Sequence, residues 1–282
     1  MTSDIKQMLN AHGLDHIFQD LARTSKPSFR MLTETPIEDT DALTSRLGGH
    51  PWLPAGFDWP ARRSGVPLAF VCQIWLPDIA GLSPEIQLPT AGLLSFFYEA
   101  GEQPWGGFEQ TDSWRVFHFD TDALSGGARM PTEATATFGN RSVGFRPQVT
   151  YPASRSIWLE RLSLQRNQYG DYYDFLDEIS GVASPRHRLG GHPDAIQGCM
   201  QIHIQFESHN ERLPKGVHNF YQHPKADELF PGVYDWELLL QVDSDPSLGM
   251  MWGDAGRIYY WIRHEDLVVG DFDKCWLQLQ CY

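Results

Sequence analysis

Arg46-Leu47-Gly48-Gly49-His50-Pro51 recurs as Arg188-Leu189-Gly190-Gly191-His192-Pro193, and this pair decides the architecture. After the first copy come Phe70-Val71-Cys72-Gln73-Ile74 and the aromatic run Gly92-Leu93-Leu94-Ser95-Phe96-Phe97-Tyr98. After the second come Leu238-Leu239-Leu240-Gln241-Val242 and Gly256-Arg257-Ile258-Tyr259-Tyr260-Trp261-Ile262. The order of elements is kept while the spacings differ, the pattern of an internal duplication with divergent loops. The expected fold is α+β and mainly antiparallel β, an internally duplicated pseudo-twofold body with an N-terminal helical pair. It forms one domain, 1–282: helices within 1–25, a first half over about 30–150 and a second over about 151–282.

Composition agrees with a folded, strand-rich chain. Apolar residues make up 41% and charged residues 21%, too apolar for a disordered chain. Twenty-five Gly and 19 Pro beside ten Trp, ten Tyr and sixteen Phe fit short strands joined by tight turns better than long helices. A net charge of −14 without a basic run argues against a phosphate backbone as partner, so no nucleic acid is expected. The first 24 residues lack the basic start and long apolar core of a signal peptide, and no apolar run reaches membrane-spanning length. A cytoplasmic protein without membrane attachment is the expectation. Cys72, Cys199, Cys275 and Cys281 form no C-x-x-C pair and are expected as free thiols.

Along the chain, Ile5, Met8, Leu9 and then Leu14, Ile17, Phe18, Leu21 have helical spacing, broken at Gly13; their narrow stripe predicts packing on the outside of a sheet. Leu68 to Leu76 is apolar on both faces, as a central strand requires, whereas Leu94–Tyr98 and Trp114–Phe119 read as more mixed. Residues 120–150 read as a linker with short edge strands. Asp171 is placed to cap a helix through Tyr172, Phe175, Leu176 and Ile179, ending at Gly181. Met200, Ile202, Ile204 and Phe206 alternate with polar residues, which predicts a half-buried strand.

The Leu47-Gly48-Gly49-His50-Pro51 motif, the stretch ending Phe57-Asp58-Trp59-Pro60, the Gln73 strand and the series Leu240-Gln241-Val242-Asp243 … Trp252-Gly253-Asp254-Ala255-Gly256 together resemble the bacterial YwqG-like family, from about residue 30 onward. The resemblance implies a cytosolic, largely β protein with a pseudo-twofold duplication and no assigned biochemistry, so no catalytic residue is carried over. Some members are encoded near secreted toxin systems, which implies a partner protein as one possible ligand.

Candidate functional residues follow from chemistry alone. Gly48-Gly49 and Gly190-Gly191 suit sharp turns, with an anion nest as the second reading. Gln73 and Gln241 sit in apolar strands, where an amide either satisfies the backbone of those turns or meets a ligand. His50 and His192 recur at matched places; a twofold arrangement would bring them together, as loop-bonded side chains or as metal ligands. Trp52, Phe57, Trp59 and Trp105 lie in Pro- and Gly-rich loops, either folded back on the sheet or presented to a partner. Asp243, Asp245 and Asp254 form the densest carboxylate set, fit for strand-end turns or for a divalent metal, the one cofactor left open. No Gly-x-Ser-x-Gly elbow, nucleotide loop or H-E-x-x-H helix is present. The expected function is a non-enzymatic binding module for a protein or small ligand, through His50, His192, Trp52, Trp59, Gln73 and Gln241. The alternative is a metal-dependent hydrolase or binder using Asp243, Asp245 and Asp254.

Overall fold

Ten strands pair edge to edge into one antiparallel sheet in a computed structural model, which describes residues 3–36, 43–82, 86–124, 136–181, 184–214 and 219–282. They are β1 Lys26–Pro36, β2 Arg46–Leu47, β3 Ala69–Trp75, β4 Leu93–Tyr98, β5 Trp114–Phe119, β6 Arg141–Thr150, β7 Arg188–Leu189, β8 Trp236–Asp243, β9 Arg257–Arg263 and β10 Trp276–Gln280. Their spatial order is β10-β9-β8-β7-β1-β6-β2-β3-β4-β5. The long β1/β6 pair forms the middle, with β2 to β5 on one side and β7 to β10 on the other, each set in chain order.

The sheet curls until its ends approach, and the main core fills the curl. Phe96 of β4 meets Tyr260 of β9 at 5.1 Å between ring centroids, and Trp114 of β5 meets Trp276 of β10 at 5.6 Å. The Trp114 indole N–H donates to the Cys275 carbonyl at 2.8 Å, so the outer strands are tied without a shared ladder. Strands β3 and β4 are apolar on both faces because one face looks into this core and the other is covered by loop residues such as Leu53, Phe57 and Trp59. The more polar mixture expected for Leu94–Tyr98 is not seen: every residue of β4 is buried, and Ser95 is buried too.

Two further corrections concern element type. Residues 141–150, read as linker and short edge strands, form the ten-residue central strand β6; residues 125–135 of that reading lie outside the described residues. Met200–Glu207, predicted as a strand, is the helix α4 of the six described helices: α1 Ser3–Ala11, α2 Phe18–Thr24, α3 Tyr169–Ser180, α4 Met200–Glu207, α5 Ala226–Leu229 and α6 His264–Val269. A period of two over eight residues also makes two i, i+4 pairs on opposite helix faces. Met200 and Ile204 join the main core, while Ile202 and Phe206 pack with Ile157, Leu229 and Val233 in a separate cluster. The intervening glutamines are buried and bonded: Gln205 accepts from the Trp236 indole at 2.9 Å and donates to the Leu229 carbonyl at 2.9 Å.

The N-terminal helices form as expected but not on the sheet. Leu9, Leu14, Ile17 and Leu21 pack against Tyr172 and Phe175 of α3 and against Tyr151 and Leu159, a satellite core of their own. Helix α3 begins two residues before Asp171, whose carboxylate lies in the first turn rather than at the cap, and it ends at Gly181 in a left-handed conformation with φ +47°. Among the described residues no helix is long and apolar enough to cross a membrane.

Candidate functional site

The two Arg-Leu-Gly-Gly-His-Pro turns are built on one plan. Arg46 stands opposite Gln73 in the β2/β3 ladder, and Arg188 stands opposite Gln241 in the β7/β8 ladder. The Gly48 N–H donates to the Val71 carbonyl, as the Gly190 N–H does to that of Leu239. Each glutamine then spans its turn. Gln73 accepts from the Trp52 N–H at 2.8 Å and donates to the Thr44 carbonyl at 2.7 Å; Gln241 accepts from the Asp194 N–H at 2.8 Å and donates to the Arg186 carbonyl at 2.6 Å. Each arginine reaches the carbonyl of its own motif histidine, Arg46 to His50 and Arg188 to His192. Gly48, Gly49, Gly190 and Gly191 all have positive φ, and a Cβ on Gly48 would lie 2.0 Å from the Gly139 carbonyl oxygen. These geometries match the turn reading of the glycines.

Strand order keeps the two motif histidines apart. β7 and β2 are separated by β1 and β6, and three antiparallel steps leave them running in opposite directions, so the turns emerge at opposite ends of the strands. His192 is buried, its Nε2 facing the Thr24 carbonyl at 2.6 Å and its ring against Trp158. Burial and the nearby Lys26 push its pKa down to about 3, against the pull of the Thr24 carbonyl. His50 is half-buried. Trp52 and Trp59 are also half-buried, and their indole N–H groups donate to the carbonyls of Leu124 and Leu68 at 2.8 and 2.9 Å. Trp105, in contrast, is half exposed.

The chemistry of the two turns diverges sharply. Around the first copy the frame carries Trp52, Trp75 and Leu93, part of an apolar cluster with Phe70 and Phe97. At the matching places around the second copy stand Asp194, Asp243 and Arg257, with Arg186 where the first copy has Thr44. The strand neighbour also changes: Arg46 faces Ser142 of β6, whereas Arg188 faces Arg30 of β1. Arg30 is in turn opposite Arg146 of β6, so three arginines lie in one row across adjacent strands.

Arg30, Arg186, Arg188 and Arg257 line a cleft of about 310 Å³, closed on one side by Tyr173, Leu176 and Ile179 of α3. Asp194 is the hub. Its carboxylate meets Arg188 Nη2 at 2.7 Å and Arg186 Nη1 at 3.7 Å, and its backbone carbonyl accepts from Arg257 at 3.2 Å and the Tyr259 hydroxyl at 2.8 Å. Burial alone would raise the Asp194 pKa, but Arg188, the Gln241 amide, Arg186 and Arg257 hold it below the usual carboxylate range. Arg257 is further paired with Asp243 at 3.0 Å, both buried.

Arg30 is the exception in this network. It is 4% exposed, and among the described residues it has no carboxylate at ion-pair distance. Its Nη2 donates to the Pro185 carbonyl at 2.5 Å, but its Nε has no hydrogen-bond partner, and neither has the Nε of Arg188. Burial and the facing charge of Arg188 pull the Arg30 pKa down to about 10, with Asp194 opposing.

The expected carboxylate cluster does not converge. Asp243 accepts from the Arg186 and Ser244 N–H groups and pairs with Arg257. Asp245 faces His187 at 3.3 Å and accepts from the Ser247 N–H, and the His187 contact holds its pKa down to about 2 against burial. Asp254 is exposed. Among the described residues no group of three or more His, Cys, Asp or Glu side chains is placed to hold a metal ion. The arginine cleft was out of reach of sequence reasoning because Arg30, Arg186 and Arg257 are scattered; the one signal was the arginine that opens both motifs.

No curated protein matches the chain. A family model described as a domain of unknown function, DUF1963, matches residues 45–281, which include every residue of the cleft named above except Arg30 and the rest of β1. Covering well over half of the sequence, that match places this chain in the DUF1963 family.

Proposed function

We propose that this protein is a non-enzymatic, cytoplasmic binding module whose cleft beside the second motif takes a small anionic ligand bearing a carboxylate or phosphate group. The observation that carries this reading is Arg30, a buried guanidinium without a carboxylate partner among the described residues, flanked in register by Arg188 and Arg146. A buried cation without a counter-ion costs several kcal/mol, and like charges directly across strands add to the cost. An anion in the cleft relieves both, because a planar oxyanion matches the fork of an arginine and Arg30 Nε and Arg188 Nε still have donors to give. The apolar residues of α3 on the opposite wall suit a ligand with an apolar body behind its charged head.

The binding reading thus moves from the loop tryptophans, whose indole N–H groups are bonded inward, to the charged cleft. The YwqG-like kinship is consistent with membership of the DUF1963 family, and the matched hydrogen bonds of the two turns support an internal duplication. The metal-dependent alternative finds less support, since the carboxylates of Asp243 and Asp245 are already engaged by protein donors.

The test is a thermal shift and calorimetric titration with phosphate, citrate and benzoate at fixed ionic strength. Saturable stabilisation by at least one of them, lost in Arg30→Met and Arg188→Met, supports the reading. A response no greater than that to chloride, or one undiminished in both variants, overturns it.

A further inference from the structure

A second cavity, of about 600 Å³, lies on the far side of α4, walled by Trp105, Ile157, Ile202, Phe220 and Leu279. Its polar groups are of a different kind from those of the arginine cleft. Gln278, Gln280, His203 and Cys199 line it. Burial lowers the His203 pKa, which leaves that ring neutral, and raises that of Cys199, which keeps it a thiol. The charges at the rim, Arg155 and Glu160, are exposed, and Glu160 is engaged by the Tyr221 hydroxyl at 2.6 Å. Among the described residues the interior is uncharged and ring-walled, which disfavours ions, since they would leave their hydration behind, and favours flat apolar molecules.

Two observations point to a ligand in this cavity. Trp105 is anchored through its backbone: the Trp105 carbonyl accepts from the Leu279 N–H, and the next residue, Gly106, accepts from the Trp276 indole at 2.7 Å. A Cβ on Gly106 would lie 2.0 Å from the Leu277 carbonyl oxygen, so only glycine lets the loop lie this close to β10. The Trp105 ring nevertheless stays half exposed at the cavity edge, whereas Trp52 and Trp59 each bond their indole N–H to a nearby carbonyl. The second observation is Gln278, 9% exposed, whose Nε2 donates to His203 Nδ1 at 3.1 Å. In this orientation Oε1 is a buried acceptor without a donor among the described residues, and such a group costs about 1–3 kcal/mol unless one arrives.

We propose that this cavity binds an uncharged, flat heteroaromatic molecule of indole or purine size, which lies against Trp105 and Phe220 and gives a ring N–H to Gln278 Oε1. The site is independent of the arginine cleft: it shares no lining residue with it.

The test is fluorine NMR of 5-fluoroindole against 5-fluoro-1-methylindole, which has the same shape without the N–H. The expected result is saturable broadening of the first, binding at least tenfold weaker for the second, and loss of the difference in Gln278→Leu. Trp105→Ala should weaken the first about tenfold while Arg30→Met leaves it unchanged. Gln278→Leu removes the unsatisfied acceptor together with the bond to His203, two opposed effects on stability, and a single cooperative melt of the variant checks that the fold is kept. Equal binding of the two probes, no saturable broadening, or binding untouched by both cavity variants would overturn the proposal.

Discussion

Asp194 and Trp52 hold the same post in the two turns: each gives its backbone N–H, at 2.8 Å, to the side-chain oxygen of a buried strand glutamine. The glutamine is therefore structural at both ends while the residue it holds is free to differ. Replacing Gln73 or Gln241 with Leu leaves a backbone N–H and a carbonyl without partners and should cost about 2–4 kcal/mol each. The two losses should add, since the turns are far apart. Urea denaturation of the two single variants and the double variant checks both statements.

Arg30 predicts a trade between stability and binding. Arg30→Met removes a buried charge that has no carboxylate partner among the described residues and keeps the stem volume, so the ligand-free protein should gain about 1–3 kcal/mol or hold level. The same variant should lose anion-induced stabilisation. A clear loss of stability in the ligand-free state, measured by chemical denaturation at pH 7, would show that Arg30 is already compensated.

His192 predicts how the fold meets acid. Its pKa is about 3 in the fold against an ordinary 6.5, so between these values the unfolded chain binds the extra proton. Stability from this group is complete above pH 6.5 and declines as pH falls towards 3, by about 1.4 kcal/mol per unit. Asp245 adds its own loss only below about pH 4. Denaturation midpoints at pH 7, 5.5 and 4.5 should therefore fall in the native protein, and His192→Gln should flatten the slope across that window.

Gly191 and Gly13 separate backbone strain from crowding. Both have positive φ, +82° and +68°, but a Cβ on Gly191 would lie 2.5 Å from Thr150 Oγ1 and 2.7 Å from Ser28 Cβ, while one on Gly13 meets nothing within 4 Å. Gly13→Ala should cost about 1 kcal/mol, the left-handed strain alone. Gly191→Ala should cost at least twice that, read from thermal melts of the two variants side by side.

The repeat of Arg46–Pro51 made the strand plan legible, because glycine pairs and a following Gln strand have local causes. Met200–Glu207 was misread because both faces of α4 are buried, and a helix with two apolar faces has no single stripe to reveal its period. β6 was missed for another reason: Arg141, Ser142, Arg146, Pro147 and Gln148 are polar or strand-breaking and none of them is buried, and only the pairing with β1 turns them into a central strand. The candidate residues divided likewise. Gln73, Gln241 and His192 were singled out by their matched positions and stand bonded within the two turns, whereas Arg30 owes its meaning to a cross-strand register that no local pattern encodes.

The central β1/β6 pair has a consequence for synthesis. β1, the earliest strand in sequence, lies between β6 and β7, whose residues begin over a hundred positions downstream at Arg141 and Arg188. A ribosome adding about 5–20 residues per second takes roughly ten to thirty seconds to supply both neighbours. Through that interval β2 to β5 can pair in order as they emerge, but residues 26–36 wait with two open edges. Closing of this sheet is thus a late, long-range event, and the nascent chain spends its vulnerable time with its future centre uncovered.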